Sequence, residues 1–324
     1  MITDKQFLKF IKTLKVGYNV AGPVRDKNSD EVFIQPIERP EDIDWSGKIP
    51  IYSFKKYFFK PTEELFEYNG AKLKEIPVYT ERPVAILGLN ILDLRALGMY
   101  DLIFKRDSYY QQKRLKNLLI GVSNVALNKR EYQIFSENFE ENILEHLHFD
   151  IFFEKQSENK YRVFTGSRTG QKVLDICGIK DFEHAQFAGP IREEGKDARM
   201  LELAKKVKNS ANNPIWEELG KKCYACGKCS MVCPTCYCFD FYDIKELNGG
   251  KKIRQWGSCF YHEFSQVAGG HQFLDTISKR IFYWYYHKFV TIPEQYSVPG
   301  CVSCLRCVKV CPAGIDIRKV LDSL

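Results

Sequence analysis

Long apolar runs are missing from this sequence. The longest, PVAILGLNILDL, is interrupted by Asn90 and Asp93, and a helix needs about 20 apolar residues to cross a bilayer. The first residues, MITDKQFLKFIKTLK, interleave charged and apolar positions, which argues against a signal peptide. We therefore expect a cytoplasmic protein without a membrane segment, long enough at 324 residues to bury a core in each of two domains.

Nucleotide-binding and catalytic motifs are missing as well. Neither G-x-G-x-x-G nor G-x-x-x-x-G-K-[ST] occurs, so no flavin or nucleotide is expected on this chain. The six histidines are scattered, and neither a Ser/His/Asp or Cys/His pairing nor a carboxylate pair can be recognised. His262 and His271 are interpreted as packing residues. The chain is not expected to catalyse a reaction by itself.

Cysteine is nearly absent from the first 220 residues and frequent afterwards. Cys177 is the single thiol before that point, and the other eleven of the twelve follow it. In a reducing cytosol disulfides are disfavoured, and clustered thiols more often bind metal. The distribution therefore predicts a metal-binding region in the C-terminal part of the chain.

Two copies of one cysteine motif dominate that region. CYACGKCSMVCP begins at residue 223 and CVSCLRCVKVCP at residue 301. Both follow C-x₂-C-x₂-C-x₃-C-P, in which three close cysteines hold one [4Fe–4S] cluster and the cysteine before proline ligates the other. The first cluster is accordingly assigned the ligands Cys223, Cys226, Cys229 and Cys311. The second is assigned Cys301, Cys304, Cys307 and Cys233.

Zinc is the main alternative for clustered thiols. A zinc site needs two cysteine pairs that close a tetrahedron, which explains neither the third cysteine at the same spacing nor the repeat of the motif. The insert between the motifs is much longer than in compact bacterial ferredoxins and looks helical. We therefore expect two [4Fe–4S] clusters in a mostly α-helical dicluster ferredoxin domain.

Three further cysteines, Cys236, Cys238 and Cys259, lie between the motifs. They could supply ligands of a third cluster, with Cys177, His262 or Asp240 as the fourth. Alternatively they are buried thiols packed near the clusters, since free cysteine is commonly buried. The sequence favours the second alternative and leaves the first open.

The formal net charge of +7 raises the question of nucleic-acid binding. Two oxidised clusters would each carry about −2 and leave the loaded chain at about +3. We interpret the basic residues of this region as solvated surface, with docking to an acidic partner as the second interpretation and nucleic acid as the least favoured. These residues are Lys251, Lys252, Arg254, Lys279 and Arg280.

The first 190 residues alternate strand and helix patterns. Thr3 and Gln6 have the spacing of a capping box ahead of an amphipathic helix. PVAILGL, NLLIGV, FDIFFE and KYRVFTG predict strands, and LDLRALGMY and the stretch around EYQIFSENFEENILEHL predict helices. We expect an α/β domain over residues 1–190 with a mixed or parallel sheet, followed by the cluster domain over residues 191–324.

Several of these stretches resemble a known family. WEELGKKCYACGKCSMVCPTCYCFDFYDI, RQWGSC, VAGGHQF and CVSCLRCVKVCPAGIDI are similar to the β subunit of cytosolic NAD(P)-linked [NiFe] hydrogenases, also called sulfhydrogenases, and to the electron-transfer subunit of anaerobic sulfite reductase. SFKKYFFKPTEELFEYNG resembles the N-terminal half of the same family. The resemblance covers most of the chain and is closer to the hydrogenase form.

One departure from the family lies in the N-terminal half. Family members carry four cysteines there, and this sequence has Leu92, Asn124, Gln133 and Phe135 at the corresponding positions. None of these side chains can act as a thiolate ligand. We expect that an N-terminal cluster has been lost while the domain is kept as a scaffold or docking surface.

Clusters without substrate chemistry indicate an electron relay. The resemblance implies a subunit that links an NAD(P)H- and FAD-binding subunit to the small and large subunits of a [NiFe] hydrogenase. The alternative is the relay of anaerobic sulfite reductase, with a sirohaem subunit as partner. A free-standing ferredoxin with an appended domain, and a nucleic-acid protein with structural clusters, are the hypotheses from other classes.

Overall fold

The computed structural model describes residues 1–76, 82–123, 143–157, 160–189 and 198–324. Its first half is built around an eight-stranded mixed sheet with the order β1-β9-β8-β7-β6-β2-β3, in which β10 extends from β9. The four central strands β2, β6, β7 and β8 run parallel. The strands are β1 Ile2–Thr3, β2 Asn19–Arg25, β3 Val32–Pro36, β6 Val84–Leu89, β7 Leu118–Ser123, β8 Ile151–Ser157, β9 Lys160–Thr165 and β10 Glu183–His184.

Helices cover both faces of this sheet. They are α1 Asp4–Gly17, α2 Ile91–Ile103, α3 Ser108–Lys116 and α4 Arg168–Ile176. Thr3 and Gln6 form the predicted capping box of α1. Side chains of β6 alternate between two cores: Ala85 and Leu87 pack on the side of α1 and α4, and Ile86 and Leu89 pack on the side of α2. The predicted N-terminal α/β region is therefore confirmed.

A second sheet joins the two halves of the chain. It has the order β11-β12-β4-β5, with all neighbours antiparallel. The strands are β4 Thr62–Asn69, β5 Lys72–Glu75, β11 Phe239–Glu246 and β12 Gly249–Trp256. A Cβ atom on Gly249 would lie 2.0 Å from the Tyr68 carbonyl oxygen, so glycine permits the close approach of β12 to β4.

Helices supply the rest of the C-terminal half. They are α5 Ala198–Asn209, α6 Ile215–Lys222, α7 Lys228–Val232, α8 Ile277–Tyr286, α9 Ile292–Tyr296, α10 Arg306–Val310 and α11 Ile317–Asp322. A π-helical turn, His287–Thr291, joins α8 to α9. Short 3₁₀ helices occur at Pro40–Asp42, Phe54–Tyr57, Ile143–His146 and His262–Ser265. Because the insert between the cysteine motifs contains the β11–β12 hairpin as well as α8, the expectation of a mostly helical cluster domain is not confirmed.

The basic residues between the motifs are less exposed than their sequence context suggested. Arg254 is 3% exposed and bonds Glu63 and Asp107, each at 2.7 Å, while Arg280 is 7% exposed and donates to the Phe260 carbonyl. The interpretation of these two arginines as solvated surface was wrong, because β12 and α8 both pack against other elements. The three lysines are paired with carboxylates, Lys251 with Glu64, Lys252 with Asp243 and Lys279 with Asp275.

One hydrophobic core spans the two halves. Ile292 and Val302, from the C-terminal half, pack in the same cluster as Phe54, Tyr100 and Leu92. A separate core lies among α5, α6, α8 and α11, around Trp216 and Tyr285. Within the described residues, no helix is both long and apolar enough to span a membrane.

Candidate metal centre

The first cysteine motif is a tight loop between α6 and α7. Cys223 caps the C-terminus of α6, and Gly227, with φ 71°, precedes α7. A Cβ atom on Gly227 would lie 2.7 Å from the Tyr261 ring, so the loop requires glycine for both its conformation and its packing. Ala225 also has a positive φ of 49°, and its N–H donates to the Cys223 sulfur at 3.4 Å. The loop therefore turns its thiols toward one side.

The second motif forms a matching loop ahead of α10. Ser303 and Leu305 have φ angles of 59° and 55°. Among the described non-glycine residues four have positive φ, and three of them, Ala225, Ser303 and Leu305, belong to the two cysteine loops. Left-handed backbone costs about 1–3 kcal/mol at such residues and is kept where surrounding structure requires it, often at functional sites. The strain coincides with the cysteine motifs in both halves of the repeat.

Two cavities lie beside these loops. The first has about 580 Å³ of empty space, part of it open to solvent, and its wall includes Cys223, Cys226, Cys229 and Cys311. The second has about 340 Å³ of empty space, also partly open, and its wall includes Cys233, Cys301, Cys304 and Cys307. Each cysteine that precedes proline thus faces the cavity of the other motif. Cys307 lines both cavities, so they share a wall.

The thiols line the walls of the two cavities and do not meet as the ligands of a single metal ion would. Across the described ranges, no three His, Cys, Asp or Glu side chains are placed as a single metal ion would require. Four thiols in the wall of one cavity suit a [4Fe–4S] cluster. The residues present fit such a group, and ligation by the eight named cysteines remains a prediction.

Burial keeps most of these thiols protonated when no metal is bound. It raises the pKa of Cys301 to about 12, and it raises the pKa values of Cys229, Cys304 and Cys307 as well. Cys233 is the exception, because hydrogen bonds from Cys236 and the nearby Lys288 ammonium lower its pKa. Metal binding must therefore displace protons, as thiolate ligation generally does.

The three remaining cysteines are divided into different contacts. Cys236 is hydrogen-bonded to Cys233, and Cys238 is hydrogen-bonded to Cys259, which lowers the pKa of Cys238 to about 7. Cys177 packs instead against the core of the first sheet beside Phe182. The structure therefore does not bring Cys177 to the other three.

The other two residues named as a fourth ligand have their own surroundings. His262 Nδ1 accepts a hydrogen bond from Gln272 Nε2 at 2.8 Å. The Asp240 carboxylate lies beside Gly257, whose added Cβ would be 2.8 Å from it. A third cluster at Cys236, Cys238 and Cys259 remains an untested prediction.

Sequence reasoning missed two buried cations, one near Cys233 and one in the wall of the second cavity. Lys55 is 4% exposed, donates to the Ser230 and Cys236 carbonyls, and lies over the Trp256 ring at 4.1 Å. Lys288 is 2% exposed and donates to the Cys233 sulfur at 3.3 Å. A signal for Lys288 did exist, since it directly follows the aromatic run IFYWYYH.

A third buried cation ties the second cysteine loop to the first half of the chain. Arg306, inside the motif, binds Asp93 through two hydrogen bonds of 2.7 and 2.9 Å, and donates to the Pro50 carbonyl at 2.7 Å. It is also hydrogen-bonded to Cys304. Arg306 and Asp93 are each 1% exposed. The pair fixes the loop of the second cavity against the start of α2.

The N-terminal departure from the family can be followed at one position. Leu92 is 2% exposed and packs in the core shared by the two halves. It therefore fills a hydrophobic core at a position that would carry a thiol in the family. Asn124, Gln133 and Phe135, like most of the predicted helix around EYQIFSENFEENILEHL, lie outside the described residues.

Comparison with known proteins first defines a class. Residues 222–315 match the family described as a 4Fe-4S dicluster domain, and this range contains both cysteine loops and every residue that lines the two cavities except Ile317. The chain thus carries the cluster-binding domain of an iron–sulfur protein. It is also 28% identical to sulfhydrogenase 2 subunit beta of Pyrococcus furiosus, over 99% of this chain and 96% of that one. The resemblance inferred from the motifs is confirmed, and no solved structure matches the chain.

Proposed function

We propose that this chain is the iron–sulfur electron-transfer subunit of a hydrogenase-type complex. The observation that carries the proposal is the pair of adjacent cysteine-lined cavities with a shared wall at Cys307. Full-length similarity to a sulfhydrogenase beta subunit supports the setting. Bound [4Fe–4S] clusters would supply one-electron transfer.

The two cavities differ in how close their side chains lie to the protein surface. Cys226 is exposed and Tyr224, at the mouth of the first cavity, is 72% exposed. The second cavity is walled by Cys233 and by buried side chains of α8 and the π-helical turn. Electrons would therefore be exchanged with a partner at the first cavity, while the second serves as an inner station one wall away.

The partners follow from the proposed class of complex. An NAD(P)H- and FAD-binding subunit on one side, and the small and large subunits of a [NiFe] hydrogenase on the other, would make the chain a cytoplasmic relay between hydrogen and nicotinamide. The sirohaem subunit of an anaerobic sulfite reductase is the alternative partner. By itself the chain has the role of an electron carrier without a substrate site.

A nucleic-acid function receives no support from the basic residues between the motifs. Arg254 and Arg280 are buried, and the lysines form ion pairs with carboxylates. A phosphate-binding surface requires exposed cations that are free to replace counterions. Filter binding across a range of salt concentrations is expected to show no salt-dependent retention of DNA or RNA.

Anaerobic co-purification of the native complex tests the proposal. Nickel and a flavoprotein bound together with this chain are the expected result. Sirohaem without nickel would show that the chain belongs to a sulfite reductase complex. A chain that purifies without partners would show that it is a free-standing carrier. Iron and labile sulfide complete the test: about eight irons per chain correspond to two clusters and about twelve to three.

A further inference from the structure

Lys288 has an unusual position for a charged residue. It lies in the π-helical turn His287–Thr291, is 2% exposed, and its ammonium lines the second cavity. A π-helical turn inserts one residue into a helix and is frequent at functional sites. The insertion places Lys288 in a helix segment that otherwise packs aromatic and aliphatic side chains, including Trp284 and Phe289.

Three acceptors take the three protons of this ammonium. Nζ donates to Thr235 Oγ1 at 2.9 Å, to the Gly300 carbonyl at 3.2 Å and to the Cys233 sulfur at 3.3 Å. Thr235 also bonds the Gly300 carbonyl and approaches the Cys233 sulfur at 3.1 Å. Gly300 is suited to this contact, since an added Cβ would lie 2.4 Å from the Lys288 carbonyl oxygen. The side chain is therefore held in one place beside Cys233.

A buried ammonium needs a compensating negative charge. Across the described part of the chain, Lys288 forms no ion pair with a carboxylate, in contrast to the buried arginines Arg254 and Arg306. The groups that face it are the thiols of Cys233, Cys236 and Cys301. Two of these belong to the four thiols that wall the second cavity. A cluster held in this cavity would supply the negative charge that the ammonium needs.

Among the described residues, no buried cation lines the first cavity or donates to one of its cysteines; the buried Arg280 acts on Cys223 at longer range and donates to the Phe260 carbonyl. The wall of this cavity includes one cationic side chain, Lys228, which is exposed to solvent. An exposed charge is screened by water and salt, whereas a buried one acts at nearly full strength. The two cavities therefore differ in electrostatics although their cysteine patterns are the same.

We propose that Lys288 is a positioning and tuning residue that stabilises the reduced form of the second cluster and raises its reduction potential above that which burial alone would give. Reduction adds one negative charge to the cluster, and a fixed cation at its ligand Cys233 favours that state. The inference rests on the proposed function, since it requires that the second cavity hold a cluster. On this proposal the second cluster is the one that holds the electron, and the first cluster exchanges electrons with the partner.

The test is a potentiometric titration of the full chain, followed by electron paramagnetic resonance. Native protein is compared with Lys288→Met and Lys288→Gln, which remove the charge, and with Lys288→Arg, which keeps it. Cys304→Ser identifies the reduction step of the second cluster, because it changes a ligand predicted for that cluster alone. Lys228→Met serves as the matched control, since it removes the lysine that lines the first cavity.

We expect both uncharged variants to lower the potential of the second step by a tenfold change or more in its equilibrium constant, about 59 mV for one electron. Lys288→Arg should retain most of the native potential, and Lys228→Met should move neither step as far. Unchanged potentials at full iron content, or an equal shift of both steps, would overturn the inference.

Iron content resolves the variants that fail to load. Loss of about four irons per chain in both uncharged variants, with retention in Lys288→Arg, supports the inference because charge is then needed at this position. Equal loss in Lys288→Arg would contradict it, because shape would then decide. A native chain without iron and labile sulfide would overturn the proposed function too, so the two failures are distinguishable.

Discussion

The two cavities are built from the same cysteine pattern and differ in nearly everything around it. The first lies beside the exposed Cys226, whereas the wall of the second includes the buried Lys288, and the buried Arg306 is bonded to its Cys304. The cysteine spacing therefore determines which group can be held. The surroundings, which come from distant parts of the chain, determine how each site differs from its twin.

The largest expected effect comes from replacing a cysteine that belongs to one motif but lines the cavity of the other. Cys311→Ala should remove about four irons per chain and leave the same spectroscopic signature as Cys223→Ala, although Cys311 belongs to the second motif. The reason is its position in the wall of the first cavity. Iron analysis with electron paramagnetic resonance checks this, and Cys301→Ala is the matched control. A Cys311→Ala spectrum like that of Cys301→Ala would show that the ligands are not crossed.

The next effect concerns the ion pair that supports the second loop. Asp93→Asn should lower the free energy of unfolding by about 3–5 kcal/mol, because it leaves Arg306 charged and buried without its partner. Denaturant unfolding under anaerobic conditions measures the change. Glu67→Gln is the control, since Glu67 pairs with the exposed Lys74 at 3.3 Å and should cost less than about 1 kcal/mol. Similar losses for the two variants would remove the difference argued between a buried and an exposed pair.

A smaller effect is expected in the loop of the first cavity. Gly227→Ala forces a left-handed residue against Tyr261 and Ser258 and should lower the free energy of unfolding by roughly 1–3 kcal/mol. Gly314 has a similar φ of 63° but open space around it, so Gly314→Ala should cost only the conformational part, about 1 kcal/mol. Thermal or denaturant unfolding of both variants measures the difference. Equal costs would mean that contact with Tyr261 adds nothing.

The smallest effect is on the pH dependence of stability, through the histidine next to Lys288. Burial, with the adjacent Lys288 ammonium, lowers the pKa of His287 from 6.5 to about 4. Below pH 6.5 the unfolded chain therefore binds more protons than the folded one, and stability falls until about pH 4. From this group we expect the free energy of unfolding to be about 1–2 kcal/mol lower at pH 5 than at pH 7.

Replacing His287 by Gln should remove that part of the pH dependence. Unfolding at the two pH values measures it, and His184→Gln, at an exposed position, is the control. An unchanged pH dependence in His287→Gln would show that folding does not lower the pKa of this histidine.

Local signals in the sequence predicted much of the fold. The capping box at Thr3, the strands β6 to β9 and helix α2 follow from patterns within a few residues of each other. The cysteine motifs, each a short pattern, predicted eight cluster ligands; the same cysteines line the two cavities, with Cys307 in both, and their ligation stays a prediction. Such features could be predicted because their causes are local.

Other features have non-local causes and were missed. The β11–β12 hairpin was not predicted because β11 is exposed along most of its length. In addition, β4, the other partner of β12, lies far away in the sequence. Burial of Arg306 depends on Asp93 and Pro50, and burial of Lys288 depends on Thr235 and Gly300. No short pattern contains both members of these contacts.

The pairing of β12 with β4 also has a consequence for the order of events during synthesis. Strand β4 is translated by residue 69 and its neighbour β12 only by residue 256, so the nascent chain carries an unpaired strand edge for nearly 190 residues. Such edges invite association with other chains, and long-range pairing slows folding. We therefore expect folding of the N-terminal half to be completed only after the β11–β12 hairpin has been synthesised, and cofactor assembly to follow that step.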